Sequence, residues 1–481
     1  MSTYLGIDLG TSSARAVVVA GSGKILAISS RSYTIQSPQS GWAEQNVSDW
    51  WGAVSMAVKE AVSAAGGPPV SAIGVTGQMH GLVLVDETGD CVRPAIIWPD
   101  QRTGSRAAVL ADGVSAEWVQ QHAGMPPAAG TLALSLDWVR RNEVDSYRKA
   151  RTALLPKDYI RFRLTGTAAS EPSDASGSLL LDVHVQQWSP KLADVFDADL
   201  QLLPPLLAST DIAGGLTRNA ALALGLHEGT PVVAGGSDQA TVAEALELRR
   251  LNRVSIGMSS GGTVLRPVAT PSLHMEPGVH TLCAVDGTWL QMGAVLSAGL
   301  SLAWLARILN PSSEHAYDEL VAESSASLPG AKGLIFIPNL RGERTPGLNA
   351  SATASFRNLT YEHGRPELVR AVLEGVSFAL RDCMEGTVGL RQDWPEVVGF
   401  GGGLRNQAWR QILADVLGVP VGMTRQNEHS AVGAASLAAA GIGQRLPLDN
   451  IALDYTLPTP DRTELYEEHF ASYRQLSRAM A

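Results

Sequence analysis

The chain has 481 residues, of which 45% are hydrophobic and 17% charged, with a formal net charge of −10. This length suits two domains, the acidity excludes a nucleic-acid binder that needs a basic stripe, and no apolar run approaches the roughly 18 residues that span a bilayer. Three widely spaced cysteines, Cys91, Cys283 and Cys383, fit neither a zinc site nor a disulfide framework. We therefore expect a globular protein of the reducing cytoplasm with no membrane or nucleic-acid partner.

The first part of the chain alternates short β-branched runs with glycine turns. Strands are predicted at residues 4–9, 15–20, 24–29, 70–75 and 82–85. Apolar residues at helical spacing predict a helix over 47–65. The first strand starts without the basic and apolar regions of a signal peptide, so none is expected. The β-β-β-α-β order excludes a sheet built only from βαβ units.

A second set of elements in a similar order is predicted to begin near residue 231. Its predicted elements are a strand at 232–236, a helix at 239–248, a hairpin at 254–265, a strand at 289–292, a helix at 367–381, a strand at 397–400, and helices at 409–417, 431–440 and 462–481. We expect two related α/β units with a boundary between residues 245 and 253, which gives domains 1–245 and 246–481.

Two aspartates, Asp8 and Asp238, each follow a short apolar run beside glycines. Glycine lets backbone N–H groups approach a phosphate closely, and the carboxylate can hold Mg²⁺ or take a proton. Two such glycine turns, each with its aspartate and facing each other across a cleft, would form a phosphoryl-transfer site. Asp238 also precedes a predicted helix, where an aspartate N-cap is common, so this motif alone leaves both roles open.

Five motifs follow one another along nearly the whole chain. They are Gly6–Ser12, Gly77–Gly81, Leu155–Tyr159, Gly342–Pro346 and Gly401–Asn406. Each is weak alone, but together and in this order they resemble the FGGY family of carbohydrate kinases. The resemblance implies the α/β fold of actin and hexokinase, a ribonuclease H-like ATPase fold in which two domains flank a central cleft. It implies a sugar-binding catalytic first domain and a nucleotide-binding second domain.

The resemblance also implies the reaction, which is transfer of a phosphoryl group from ATP, with Mg²⁺, to a sugar hydroxyl. It assigns Asp238 as the general base and Asp8 as a residue that holds Mg²⁺ through water. Within the family, the similarity is greatest to members that phosphorylate D-xylulose. By analogy with relatives, a homodimer is expected.

The nucleotide contacts implied by the resemblance fall in three glycine-rich turns. They are Gly10, Thr11, Ser12 and Arg15 in the first phosphate hairpin, Gly257, Ser259 and Ser260 in the second, and Gly402, Gly403 and Asn406 at the adenosine. Met258 stands where the family has threonine, so Ser259 or Ser260 would have to supply the missing hydroxyl. Arg15 is either a phosphate contact or a solvated side chain, and Asn406 either bonds the base or caps a helix.

The sugar contacts implied by the resemblance are Gln78, Met79, His80, Asp100, Arg102, Trp42 and Gln239. Met79 offers an apolar surface, and the His80 imidazole can bond two hydroxyls. Asp100 is expected to be the main acceptor for a sugar hydroxyl, and Trp42 is either a stacking wall or a core residue. Gln239 stands where asparagine is more frequent in the family, and its extra methylene can alter the fit of the sugar.

Two other functions remain open. One is the same chemistry on another ketose or polyol, such as ribulose, glycerol or an alditol. The other is a non-catalytic switch that closes on sugar or nucleotide. The presence of Asp8 and Asp238 counts against it, whereas Met258 and Ser135, which depart from the family's pattern, leave it open. A Rossmann dehydrogenase is disfavoured, because the first glycine turn opens a hairpin rather than a helix.

Overall fold

The computed structural model describes residues 2–113, 115–271, 278–310, 313, 316–426, 428–448 and 453–479. Its strands are β1 (Thr3–Leu9), β2 (Ser13–Ala20), β3 (Ile25–Ser32), β4 (Glu44–Gln45), β5 (Ala72–Gly77), β6 (Val83–Val85), β7 (Ala95–Ile96), β8 (Thr152–Leu154), β9 (Leu181–Asp182), β10 (Gln187–Trp188), β11 (Ile212–Gly215), β12 (Pro231–Val233), β13 (Arg253–Met258), β14 (Gly262–Val268), β15 (His280–Cys283), β16 (Trp289–Val295), β17 (Ile335–Ile337), β18 (Ser355–Arg357), β19 (Glu396–Phe400), β20 (Val421–Thr424) and β21 (Leu453–Thr456). Its helices are α1 (Val47–Ala64), α2 (Gly104–Ala111), α3 (Ala116–Ala123), α4 (Leu132–Asn142), α5 (Val144–Lys149), α6 (Pro156–Thr165), α7 (Pro172–Ala175), α8 (Pro190–Val195), α9 (Arg218–Leu224), α10 (Asp238–Ala245), α11 (Gly299–Leu309), α12 (Ala316–Glu323), α13 (Arg365–Val388), α14 (Gly402–Arg405), α15 (Gln407–Leu417), α16 (His429–Gly441) and α17 (Pro460–Arg478).

Two mixed sheets organise the molecule. The first has the strand order β11-β12-β5-β1-β2-β3, and the second has the order β15-β16-β14-β13-β19-β20-β21. In the first sheet β1 is antiparallel to β2 and parallel to β5, and in the second β13 is antiparallel to β14 and parallel to β19. A second parallel strand then follows in each, β12 or β20. The chain therefore contains two related α/β units, which confirms the predicted fold class.

The strand at Pro231–Val233 belongs to the first sheet. It pairs with β5 through Val232 and Ile73, and the second sheet begins only at Arg253. The prediction that the second set of elements begins near residue 231 is therefore wrong. A short apolar run shows that a strand forms, but its composition does not show which sheet the strand joins.

Helix α13 crosses the core of the second unit and is longer than predicted. Its first turn carries Pro366, and the Glu367 carboxylate accepts a hydrogen bond from the Gly364 N–H at 2.9 Å. The prediction ended this helix at Arg381. In the structure, Asp382 is paired with Arg474 of α17 at 3.2 Å, so the helix continues with this carboxylate neutralised.

Helix α16 joins the two units. A Cβ atom on Gly6 of β1 would lie 1.8 Å from the Ala431 carbonyl oxygen, and one on Gly74 of β5 would lie 1.9 Å from that of Ala434. Only glycine permits so close an approach. A helix from the second half of the chain therefore packs directly on the first sheet, next to the strand ends that carry the candidate site.

Among the described residues, no helix combines the length and the apolar character needed to cross a membrane.

Candidate active site

The candidate site lies where three parallel strands of the first sheet end. Asp8 is near the end of β1, Gln78 and Met79 follow β5, and Asp238 comes after β12 as the first residue of α10. The carboxyl ends of parallel strands meet at one edge of a sheet, where α/β folds bind ligands. The two aspartates are thus brought together by a single sheet, and the expectation that they face each other from opposite walls is wrong.

Asp238 is not needed to cap its helix. The Ser237 side chain is the N-cap of α10 and accepts a hydrogen bond from the Ala240 N–H. The Asp238 carboxylate accepts a hydrogen bond from the N–H of its neighbour Gln239, at 2.7 Å. Burial, reinforced by the negative charge of Asp8, raises the pKa of Asp238 to about 7. A carboxyl group with this pKa can exchange a proton near neutral pH.

Asp8 is buried beside two other charged groups. Burial raises the pKa of Asp8 to about 6, the Arg15 guanidinium opposes this rise and Glu428 adds to it. Arg15 lies between the two carboxylates, with Nη1 4.0 Å from Asp8 and Nε 3.4 Å from Glu428. Glu428 immediately precedes α16 and carried no signal in the sequence, because no motif includes it.

The first hairpin turn is held in place from three sides. The Gln45 amide donates to the Thr11 carbonyl oxygen at 2.8 Å, the Trp98 indole N–H donates to the Thr11 hydroxyl oxygen at 2.9 Å, and the Tyr33 hydroxyl donates to the Gly10 carbonyl oxygen. The adjoining Ser12 is exposed. The turn between β1 and β2 is therefore rigidly positioned with its tip open to a ligand.

Met258 packs beneath the glycine turn at residues 401–403. It is 1% exposed, and its sulfur would lie 2.5 Å from a Cβ atom on Gly403. Gly257 pairs with Thr263 in the same hairpin, while Ser259 and Ser260 at the tip are exposed. Methionine in place of the family's threonine therefore fills space beneath the turn rather than contributing a polar group.

The turn at Gly401 leads into the short helix α14. A Cβ atom on Gly402 would meet nothing within 4 Å, so this position borders open space. The Asn406 side-chain oxygen accepts hydrogen bonds from the N–H groups of Ala408 and Trp409, at 3.0 and 3.3 Å. Of the two roles predicted for Asn406, helix capping is the one that its oxygen performs.

His80 adopts a left-handed backbone conformation, with φ 74°. Its Nδ1 lies 2.7 Å from the Gly177 carbonyl oxygen, and burial lowers its pKa to about 4. The ring is therefore neutral at neutral pH, and an Nδ1–H donor to Gly177 leaves only Nε2 for a ligand. The expectation that both nitrogens bond sugar hydroxyls is wrong. Met79 packs beside it against Ala240 and Val242 of α10.

Two glutamines offer unused polar atoms at the same strand ends. The Gln78 amide nitrogen donates to Gln45 Oε1 at 3.0 Å. The side-chain oxygens of Gln78 and Gln239 are buried and have no hydrogen-bond partner among the described residues. Buried polar atoms without partners are costly, so both amides are suited to receive a polar ligand.

Asp100 has no oxygen left for a sugar. It is fully buried, its Oδ2 accepts the Ala43 N–H at 2.6 Å, and both oxygens accept from Arg102 at 2.9 Å. Arg102 also donates to Glu44, and its guanidinium lies 3.7 Å from the centre of the Trp42 ring. The prediction of Asp100 as a hydroxyl acceptor is wrong, and this face of Trp42 packs on an arginine.

The motif Leu155–Tyr159 has a structural role below Asp238. Lys157 and Asp158 are fully buried and pair at 2.6 Å, and Arg161 donates to the Ala234 carbonyl oxygen at 3.1 Å. Their network therefore holds the segment that leads from β12 into Asp238.

The sequence did not indicate one buried polar group close to His80. His280 of β15 is 1% exposed, and neither ring nitrogen has a hydrogen-bond partner among the described residues. Burial lowers the pKa of His280, and the positive charge of Arg344 lowers it further. A lone histidine in a strand gives no sequence signal for such a position.

Comparison with known proteins shows the family. The N-terminal domain of the FGGY family of carbohydrate kinases matches residues 3–243, and its C-terminal domain matches residues 255–442. The chain belongs to the FGGY family of carbohydrate kinases. It is 34% identical to the xylulose kinase of Escherichia coli (strain K12) over 98% of each chain.

Two solved kinase structures share the architecture. The xylulose kinase from Rhodospirillum rubrum matches with a TM-score of 0.90 and 28% identity over 99% of this chain and 98% of that one. The gluconate kinase from Lactobacillus acidophilus matches with a TM-score of 0.92 and 24% identity, over 99% of this chain and 98% of that one, which shows the fold alone. The predicted carbohydrate kinase activity is thus confirmed at the level of the family.

Proposed function

We propose that this FGGY kinase transfers the γ-phosphoryl group of ATP to the C5 hydroxyl of D-xylulose, with Asp238 as the general base. The observation that carries the proposal is the state of Asp238, a carboxyl group relieved of helix capping by Ser237 and with a pKa raised to about 7. The name of the Escherichia coli relative supports the choice of sugar.

The proposed step moves one proton and one phosphoryl group. Asp238 accepts the proton of the sugar hydroxyl while the hydroxyl oxygen forms a bond to the γ-phosphorus. The bond between the γ-phosphorus and the bridging oxygen breaks, and ADP leaves with that electron pair. Because little covalent chemistry falls to the protein, most of its contribution is positioning and charge stabilisation.

The carboxylates fit a magnesium ion. Asp8, Glu428 and Asp238 bring three negative charges to this edge of the sheet, and Arg15 supplies one positive charge near them. A hydrated divalent cation held by Asp8 would relieve the excess, and Mg²⁺ keeps most of its water ligands in such sites. When bound, Mg²⁺ would neutralise charge on the phosphates.

The two glycine hairpins are suited to hold the triphosphate. Gly10, Thr11, Ser12 and Arg15 would contact it from the first unit, and Gly257, Ser259 and Ser260 from the second. The adenosine would lie over the open space at Gly402, with Gly403 below. This arrangement supports a sugar-binding domain of residues 1–245 and a nucleotide-binding domain of residues 246–481.

The sugar would lie between Asp238 and His80. His80 Nε2 would accept one hydroxyl, the amides of Gln78 and Gln239 would bond others, and Met79 would face the carbon chain. Gln78, Met79 and His80 follow the end of β5, and Gln239 is in the first turn of α10.

The same chemistry on another ketose or on a polyol is the second candidate. Gln239 favours it, because this long side chain is next to the base in the chain and its oxygen has no hydrogen-bond partner within the described part of the structure. A coupled assay of ADP release with D-xylulose, ribulose, glycerol and alditols, for the wild type and for Gln239→Asn, decides between them. The proposal expects the highest kcat/KM on D-xylulose. A higher value on another acceptor would replace the substrate, and sugar binding without any product would favour the non-catalytic switch.

A further inference from the structure

Strand β15 of the second unit makes hydrogen bonds to two segments of the first unit. The Thr281 N–H donates to the Gly124 carbonyl oxygen at 2.7 Å, and the Cys283 N–H donates to the Ser176 hydroxyl at 3.2 Å. Ser176 is next to Gly177, whose carbonyl oxygen binds His80. Strand β15 therefore lies directly over the loop that orients His80.

His280 is the first residue of β15, and its side chain is on the face of the sheet that packs against Met79. It pairs with Met292 across the sheet, and Leu282 is on the same face because side chains alternate along a strand. Met292 and Leu282 belong to one apolar cluster with Met79. The imidazole is consequently beside Met79 and His80 rather than in the interior of the second unit.

Arg344 approaches the same place from a different loop. The Thr345 hydroxyl donates to the Gly278 carbonyl oxygen at 2.7 Å, two residues before His280. Arg344 lies close enough for its charge to act on both His80 and His280. The two histidines and Arg344 thus come from three separate segments of the chain.

A buried imidazole with two unused nitrogens is costly for folding alone. Each unpaired buried polar group destabilises the folded protein, and a core position would favour an apolar residue instead. The cost is recovered when a polar ligand supplies the missing partners. A sugar hydroxyl is such a partner, because it can both donate and accept.

We propose that His280, together with Arg344, completes the sugar pocket from the second unit by binding the hydroxyl groups at the end of the ketose away from the reacting carbon. This inference rests on the proposed function. His280 is then a specificity residue, and a sugar long enough to reach it holds the two units together. A short acceptor such as glycerol does not span the distance from Asp238 to His280, so His280 does not contribute to its binding.

The test compares His280→Leu and His280→Gln with His227→Leu, a control at an exposed histidine. We expect His280→Leu to lower kcat/KM on D-xylulose by about tenfold to a hundredfold, mainly through KM, and to leave kcat/KM on glycerol unchanged. His280→Gln should recover part of the loss. The melting temperature of His280→Leu should equal or exceed that of the wild type, because an unpaired buried group is removed.

Wild-type kcat/KM on D-xylulose in His280→Leu, or an equal loss on both acceptors with a lower melting temperature, would overturn the inference. Calorimetric titration with D-xylulose separates it from the proposed function. A wild type that binds D-xylulose without phosphorylating it contradicts the proposed function alone, and weaker binding by His280→Leu then still supports the inference. A wild type that does not bind D-xylulose contradicts both.

Discussion

The negative charge of Asp8 helps to raise the pKa of Asp238, although 230 positions separate the two in the chain, from residue 8 to residue 238. Strand β5 lies between β1, which carries Asp8, and β12, which leads to Asp238, and all three strands run in the same direction. The register of one sheet therefore sets the distance between the Mg²⁺ ligand and the base that we propose.

The first prediction concerns pH. Only the ionised carboxylate of Asp238 can take a proton, so kcat/KM should fall as pH drops through its pKa of about 7. Bound Mg²⁺ and ATP change the charge around the base, and a cation near Asp8 would lower the pKa of Asp238. The acidic limb of kcat should therefore lie at lower pH than that of kcat/KM for the sugar. Profiles measured between pH 5 and 9 at constant ionic strength check this, and a rate independent of pH below 7 would contradict it.

A second prediction uses the two charges that act on Asp8 in opposite directions. Arg15 lowers the pKa of Asp8 and Glu428 raises it. Since Asp8 must be ionised to hold Mg²⁺, the KM for the magnesium complex of ATP should rise as pH falls through the pKa of Asp8. Arg15→Gln should move this rise to higher pH, and Glu428→Gln should move it to lower pH. Shifts in the same direction for both variants would show that neither acts through Asp8.

The neighbouring glycines of α14 provide a matched pair. A Cβ atom on Gly402 enters open space, whereas one on Gly403 meets the sulfur of the buried Met258. Gly402→Ala should fold normally and raise the KM for ATP by about tenfold, because the methyl group occupies the proposed nucleotide surface. Gly403→Ala should instead lose about 1–3 kcal/mol of unfolding free energy from overpacking. Urea unfolding and ATP kinetics of both variants check the pair, and a reversed pattern would place the nucleotide elsewhere.

The variant Asp100→Asn tests the corrected assignment of Asp100 as a partner of Arg102 rather than an acceptor for a sugar hydroxyl. Asp100→Asn removes one of the two carboxylate partners of the buried Arg102, the other being Glu44, so it should lower the unfolding free energy by up to about 3–5 kcal/mol. The KM for the sugar should remain within about threefold of the wild-type value at a temperature where the variant is folded. Asp112→Asn, at an exposed position, is the control. A stable Asp100→Asn protein with a greatly raised sugar KM would restore the original expectation.

The sequence predicted the local elements and the family, but it could not predict which polar groups are already satisfied. The pattern at residues 98–102 marks Asp100 as polar and close to the site, and only the fold shows that Arg102 and Ala43 use both of its oxygens. His280 illustrates the opposite case, since its lack of partners depends on the packing of three distant segments.

Sheet membership is a second limit. The apolar run at residues 232–236 predicted a strand, which the structure has at Pro231–Val233, but only the pairing of Val232 with Ile73 places that strand in the first unit. This pairing decides that Asp8 and Asp238 share one sheet. Long-range pairing of this kind is not encoded in the local pattern of hydrophobic residues.

The most direct measurement is a rapid-quench single-turnover experiment with Asp238→Asn, radiolabelled ATP and D-xylulose, accompanied by calorimetric titration of both ligands. The account predicts that the variant binds ATP and D-xylulose with affinities close to those of the wild type and forms D-xylulose 5-phosphate about 10²–10⁴-fold more slowly. Phosphorylation by Asp238→Asn at the wild-type rate would contradict the assignment of Asp238 as the base.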